Sequence, residues 1–195
     1  MDQLSIRARQ ALSSAAALLS AQWIMALVSI PSSNDYETQL AAGTSAEKIT
    51  TIYDNLSLLI TVTLVWSWLA TYRFMLEVFD REVKENASAI RLKRGWVIWG
   101  WVVPIVSFWF PKRVTEDLVK AKVSRLKEVD PIGKTSGTWW ATWVSFILLN
   151  NLISFNVITG QASHIQPSYE IAAACMLTAS YMVWTKIIKF LGANY

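Results

Sequence analysis

The residues able to perform acid–base, nucleophilic or metal chemistry are few and scattered. The chain has one histidine, His164, and one cysteine, Cys175. His164 has no partners at metal-ligand spacing, and a haem held by two histidines is excluded within the chain. Ser163 and Asp35 complete the nearest approach to a Ser-His-Asp triad, but their spacing gives it no support. The sequence therefore predicts no enzyme, no cofactor and no metal site, and Cys175 is typical of a small buried hydrophobe.

Two side-chain amides are the most prominent polar groups in the apolar stretches. Asn150 and Asn151 fall near the midpoint of one such stretch. An amide in hydrocarbon needs a hydrogen-bond partner, so we expect at least one to face another helix or another protein. Hydrogen bonding between helices is the simpler interpretation, and a polar substrate site is the alternative. Ionisable residues are absent near the middle of the predicted spans, which argues against a pump or a proton-coupled transporter.

The most distinctive segment is 95–110, GWVIWGWVVPIVSFWF. Its candidate interaction residues are Trp96, Trp99, Trp101, Pro104 and Trp109. Indole rings favour the membrane interface, and 16 residues are short for a membrane crossing. We therefore predict a re-entrant or interfacial segment that anchors the protein or forms a docking face. The alternative is that it lines a lipid or quinone-like pocket.

Composition indicates that lipid surrounds the elements that position these residues. The chain of 195 residues is 53% hydrophobic and 16% charged, whereas soluble domains are about 25% charged. The net charge of +4 arises from basic residues that cluster beside apolar stretches. In those positions they orient the chain and contact anionic phospholipids. We therefore expect phospholipid contacts and no nucleic-acid partner.

The predicted fold is an all-α integral membrane domain that covers residues 1–195. The predicted transmembrane helices are 11–30, 52–72, 138–160 and 171–190. About 20 apolar residues cross the hydrocarbon core, and we interpret the first run as an uncleaved helix because no small-x-small site directly follows it. An amphipathic helix is predicted over 114–129, either on the cytoplasmic membrane surface or packed on its neighbours.

The second helix is expected to extend well beyond the bilayer. Thr44-x-x-Glu47 has the pattern of a capping box, so the helix is predicted to begin at Ser45 and to continue to Glu85. Its cytoplasmic part contains charges spaced for i,i+4 ion pairs. The predicted pairs are Glu77 with Arg81 and Asp80 with Lys84.

The distribution of basic residues predicts the orientation. If 95–110 re-enters, seventeen of the eighteen Lys and Arg residues lie in the cytoplasm and only Lys48 lies outside. If that segment crosses, the division is eight inside against ten outside. Because basic residues near span ends stay cytoplasmic, we predict a bacterial inner-membrane protein with both termini in the cytoplasm.

One segment also resembles a family of actinobacterial integral membrane proteins that is known as a domain of unknown function. The residues that carry the resemblance are Arg94-Gly-Trp96, Gly100-Trp101-x-x-Pro104 and Trp109-x-Pro111-x-x-Val114. The resemblance covers roughly residues 51–189 and implies two helices, a GW..P....W.P segment, a cytoplasmic helix and two more helices. Ser107 stands where the family pattern leads us to expect Asn. The resemblance implies an architecture and no activity.

These observations lead to two functional hypotheses. The first is a non-catalytic accessory or assembly subunit of a larger inner-membrane complex, with other integral membrane proteins as partners. By analogy alone, that complex would be a respiratory-chain cytochrome assembly. The second is a small-molecule transporter or a lipid- or quinone-binding protein. It predicts a polar cavity near Trp101 and Pro104, beside Asn150 and Asn151.

Overall fold

The computed structural model describes residues 2–86, 90–102, 106–127, 130, 132–133, 135–158 and 165–193. Within these residues the fold is all-α, as predicted. The helices are α1 (Gln3–Ala41), α2 (Ile52–Asn86), α3 (Arg94–Val102), α4 (Phe110–Leu126), α5 (Thr135–Ile158) and α6 (Pro167–Gly192). In this described part of the chain, three helices, α1, α2 and α6, are long and apolar enough to cross a membrane.

The first helix is longer than its predicted span because it continues through Pro31 to Ala41. Proline removes one backbone N–H donor from a helix interior, yet α1 continues for ten residues beyond it. Beyond the proline, Tyr36 is buried in a small cluster with Ile49 and Ile165. The segment that we predicted as an outer loop is therefore partly helical, since tertiary packing extends the helix past its breaker.

A glycine ends this long helix. Gly43 has a φ of 87°, a backbone conformation that residues other than glycine rarely adopt. Its N–H donates to the Leu40 carbonyl, and the Thr44 N–H donates to the Gln39 carbonyl. These two bonds form a Schellman motif, which satisfies carbonyls at the end of the helix.

The second helix begins at Ile52, later than predicted. The carboxylate of Asp54 accepts hydrogen bonds from the Thr51 N–H at 2.7 Å and from the Thr51 hydroxyl at 2.9 Å. The bond from the Asp54 carboxylate back to the Thr51 N–H is one half of a capping box, and it lies at the start of the helix. The residues around Glu47 instead form a separate 3₁₀ turn, so the pattern Thr44-x-x-Glu47 does not cap α2.

The four long helices form a row in the order α2, α1, α6, α5. Extensive packing joins α1 to α2, α1 to α6 and α5 to α6. A Cβ atom added at Gly192 would lie 2.9 Å from the Cβ of Ala8, so glycine permits the close approach of α6 to α1. The start of α1 thus lies beside the end of α6. We call this end, where α3 and α4 also pack, the α4 end.

A buried lysine joins α4 to the last turn of α6. The Nζ atom of Lys122 donates to the carbonyls of Phe190 at 2.6 Å, Leu191 at 3.0 Å and Ala193 at 3.2 Å. The last carbonyls of a helix lack partners within the helix, and the helix dipole favours a cation there. Lys122 therefore satisfies both requirements although only 1% of it is exposed. The predicted surface helix 114–129 is thus α4, packed on its neighbours.

A second charged contact joins α4 to α2. Arg125 donates to the two carboxylate oxygens of Glu82 at 2.8 and 3.1 Å, and it also lies 2.8 Å from Glu85. Glu82 is only 2% exposed. The hydrogen bond to Glu82 raises the pKa of Arg125, which therefore remains charged.

Other ion pairs at the α4 end also join different helices. Arg81, which we paired with Glu77 one turn earlier, contacts Asp2 of the α1 terminus at 3.3 Å. Asp80 accepts two hydrogen bonds from Arg94 of α3, at 2.7 and 2.9 Å. The spacing in sequence predicted partners within α2. Arg81 does contact Glu85 of its own helix at 3.3 Å, and the contacts with Asp2 and Arg94 add partners from outside α2.

Candidate functional site

A cavity of about 400 Å³ lies between α2 and α5, the two helices at the ends of the row. Residues of α1 and α6, the two middle helices of the row, also line the cavity. Further lining residues come from α3 and from the 3₁₀ turn Val106–Phe108. The cavity is partly open at the surface of the bundle. Six of the chain's eleven tryptophans line it. They are Trp68, Trp101, Trp139, Trp140, Trp143 and Trp184, and we call this cavity the tryptophan cleft.

Contacts between aromatic rings fix the shape of the cleft. Trp139 of α5 stacks on Trp184 of α6 with ring centres 4.8 Å apart and planes at 14°. Trp140 meets Trp101 of α3 edge to face at 6.4 Å. Its indole N–H also donates to the Phe108 carbonyl at 2.7 Å. The cleft is therefore a packed aromatic surface built from several elements.

The lining of the cleft is almost entirely apolar. None of the described residues that line it is charged. Its polar lining residues, apart from the tryptophans, are Ser67, Thr71, Ser107, Ser180 and Tyr181. The Nε1 atom of Trp101 is buried without a hydrogen-bond partner in the described part of the chain. Such a surface suits an apolar ligand and offers no group for acid–base chemistry.

The tryptophans of the predicted re-entrant segment have different environments. Trp101 lines the cleft. Trp96 packs on an aromatic ring of α4, with ring centres 4.5 Å apart. Trp99 and Trp109 are 58% and 50% exposed. Trp96 is also 39% exposed, so the structure brings one of these four residues to the cleft and leaves three at least partly at the surface.

The predicted polar residues do not line the cleft. Asn150 donates its amide to the Phe146 carbonyl at 2.9 Å, and Asn151 donates to the Ile147 carbonyl at 2.8 Å. Each amide therefore makes a bond to its own helix one turn back, and neither residue belongs to a polar cavity of the kind that the second hypothesis predicts. Pro104 lies outside the described residues.

A buried carboxylate just before the predicted span 171–190 lies toward the opposite end of the bundle from α4. Glu170, in the first turn of α6, is 4% exposed. It accepts hydrogen bonds from the Gln22 amide of α1, at 2.7 Å, and from the Tyr53 hydroxyl of α2. We call these three residues the Glu170 site. It contains one carboxylate, and within the described residues no three His, Cys, Asp or Glu side chains converge as a metal site.

The sequence contained weak signals for this site. Gln22 interrupts the first apolar run, and an amide in hydrocarbon needs a hydrogen-bond partner. Glu170 follows Pro167 by three residues, a spacing that suits the first turn of a helix. Its burial depends on Tyr53, which is distant in sequence, and spacing cannot predict that contact.

Comparison with known proteins identifies a family. The sequence matches the family model described as a domain of unknown function, DUF4328, over residues 32–189. That range extends from the last part of α1 into α6. Nothing among the curated proteins or the solved structures matches the chain. Because the matched range covers most of the sequence, the chain belongs to the DUF4328 family.

Proposed function

We propose that this protein crosses the membrane four times and binds an apolar ligand, a lipid chain or a quinone-like molecule, in the tryptophan cleft. The observation that carries this proposal is the cleft itself, which is aromatic, uncharged and partly open between α2 and α5. A cleft of this kind in a membrane protein is reached from the lipid. The ligand would therefore enter sideways rather than from water.

Hydropathy and charge support the four-span topology. Besides the three helices named above, α5 has 24 residues and no charged side chain. Antiparallel packing places the basic helix α4 at one end, and that end faces the cytoplasm if basic residues stay inside. In this arrangement 95–110 enters and leaves on the cytoplasmic side.

The size of the cleft favours a chain or a single ring. Ligand sites of about 300–1,000 Å³ with apolar and aromatic linings are typical of small-molecule binding. At about 30 Å³ for each water-sized group, 400 Å³ holds roughly a dozen methylene-sized groups. That is room for part of an acyl or isoprenoid chain rather than for a whole phospholipid.

The proposal is tested with a matched pair of variants on α5. Val144 lines the cleft, whereas Leu148, one turn further, is 52% exposed and lies outside its lining. Val144→Phe places a ring in the cleft, and Leu148→Phe adds similar bulk to the surface. Binding of a brominated fatty acid is measured in detergent through quenching of tryptophan fluorescence, since six indoles line the cleft.

We expect saturable quenching in the wild type and in Leu148→Phe. In Val144→Phe the affinity should fall about tenfold, which corresponds to ~1.4 kcal/mol. Equal quenching curves in all three proteins would show that the fatty acid binds the general apolar surface, and they would overturn the proposal.

The accessory-subunit function is a second candidate, and one face of α2 favours it. Leu58, Val62, Val65 and Leu69 follow helical spacing and are 67%, 56%, 50% and 37% exposed. Such a face packs against lipid or against a helix of another membrane protein. Mass spectrometry of the tagged protein on a native gel after mild extraction separates these cases. Stoichiometric partner subunits would support the second candidate, and migration alone would contradict it.

A further inference from the structure

The Glu170 site differs from the other buried charged groups of the bundle. Glu82 is held by an arginine, and Lys122 by three carbonyls. Glu170 is held by two neutral donors, the amide of Gln22 and the hydroxyl of Tyr53. Within the described residues, no Lys or Arg lies within ion-pair distance of it.

These two donors satisfy hydrogen bonding but not charge. Glu170 lies in the first turn of α6, where the helix dipole favours an ionised carboxylate. Tyr53 itself packs against the apolar cluster of Tyr36, Ile49 and Ile165. An ionised carboxylate in such surroundings needs a compensating positive charge.

An unused oxygen lies next to this carboxylate. Gln22 is fully buried, and its Oε1 atom has no hydrogen-bond partner in the described part of the chain. The Nε2 atom of the same amide donates to Glu170 at 2.7 Å, so this unpartnered oxygen belongs to the side-chain amide that contacts the carboxylate. A buried carbonyl oxygen without a donor is costly, and it is also a ligand that hard cations prefer.

We infer that Glu170, Gln22 and Tyr53 bind a monovalent metal cation, for which sodium is the probe. The site offers a carboxylate, an amide oxygen and a phenolic oxygen from three helices. One positive charge neutralises the single carboxylate, whereas calcium sites use six to eight oxygens and often several carboxylates. Ionisable residues inside membrane bundles commonly mark ion sites.

This inference does not rest on the tryptophan cleft. None of the three residues lines the cleft, and Glu170 lies in the first turn of α6, away from the α4 end. If no apolar ligand binds the cleft, the cation proposal is unaffected. If no cation binds at Glu170, the proposal for the cleft is unaffected. A bound cation would tie α1, α2 and α6 together.

The test measures thermal unfolding of the full chain in detergent. Sodium chloride is exchanged for choline chloride at constant ionic strength, between pH 6 and 9. For the wild type we expect a saturable rise in Tm of about 5–10 °C when sodium reaches a hundred times its Kd. Glu170→Gln should remove the rise, and Tyr53→Phe, which keeps the ring, should shift it to higher sodium. Glu37→Gln, at an exposed carboxylate of α1, should leave it unchanged.

Three results would overturn the inference. The first is a wild-type Tm that does not respond to sodium at any of these pH values. The second is an equal sodium response in Glu170→Gln, or in Tyr53→Phe if the first variant does not fold. The third is a Tm that rises with acid and not with sodium, because the site then binds a proton. A response confined to proteins with an intact Glu170 site supports the inference.

Discussion

The two ends of the bundle treat buried charge in opposite ways. At the α4 end, Lys122 contacts three helix carbonyls and Glu82 pairs with Arg125. Toward the other end, Glu170 has only the neutral donors Gln22 and Tyr53. The charges of Lys122 and Glu82 are compensated within the chain, so they hold helices together, although one carboxylate oxygen of Asp117 in α4 is buried without a hydrogen-bond partner among the described residues. The Glu170 carboxylate has no basic partner among the described residues, and it is where we propose that a cation binds.

The tryptophan cleft shows a third arrangement. Its described lining residues carry no charge, and its rings pack on one another as in a protein core. None of the residues in the charged contacts at the α4 end, Lys122, Glu82 and Arg125, lines the cleft. The charged contacts that hold the helices together therefore lie in a different part of the bundle from the apolar surface that we propose binds a ligand. Stability should respond most strongly at the α4 end, and binding should respond at the cleft and at Glu170.

The largest expected effect comes from breaking the lysine contact. Lys122→Met keeps the length and the apolar stem but leaves three carbonyls of the α6 end without their donor. A buried hydrogen bond to a charged group contributes roughly 1.5–3 kcal/mol, so we expect a loss of about 3 kcal/mol. The Tm measured by thermal unfolding should then fall by about 6–12 °C.

Lys120 supplies the control, since it lies on the same helix and is exposed. Lys120→Met should change Tm by no more than about 2 °C, as surface substitutions usually do. Similar losses in both variants would mean that the charge of α4 as a whole stabilises the bundle, and the contact with α6 would lose its special role.

A smaller effect is expected from comparing a buried ion pair with an exposed one. Glu82→Gln weakens the contact with Arg125, in which the carboxylate side chain is 3% exposed. Asp80→Asn weakens the contact with Arg94, in which both side chains are at least 40% exposed. We expect losses of about 2 kcal/mol for the first and under about 1 kcal/mol for the second. Chemical or thermal unfolding of both variants in the same detergent measures the difference.

Much of the fold could be predicted because lipid imposes a length on apolar helices. The predicted span 171–190 falls within α6, and 52–72 falls within α2. The ends of helices were less predictable. α1 continues past Pro31 because Tyr36 finds apolar partners in Ile49 and Ile165. Those partners come from distant parts of the sequence, which periodicity does not describe.

Partners between helices were the least predictable feature of the sites. Val119 and Lys122 are both buried on the inner face of α4. From the sequence alone, a lysine in an amphipathic helix is expected to be exposed to solvent. Only the fold shows that α6 ends beside it. Trp101 was a candidate from its interface-type segment, whereas its neighbours in the cleft come from α5 and α6. Chemistry that depends on several helices appears in a sequence only as isolated residues.

The smallest effect is expected at Glu170, although this residue is as buried as Glu82. In sodium-free buffer, Glu170→Gln should change stability by less than about 1 kcal/mol, or increase it, because the variant removes an uncompensated charge. The new amide keeps an oxygen for the Tyr53 hydroxyl. Its NH₂ group can donate to Gln22 Oε1 once the Gln22 amide turns over, so the unpartnered oxygen gains a donor. The test compares the Tm of Glu170→Gln with the Tm of Lys122→Met in the same detergent. A loss as large as that of Lys122→Met would show that the carboxylate itself fastens the helices, and the contrast between the two ends would no longer hold.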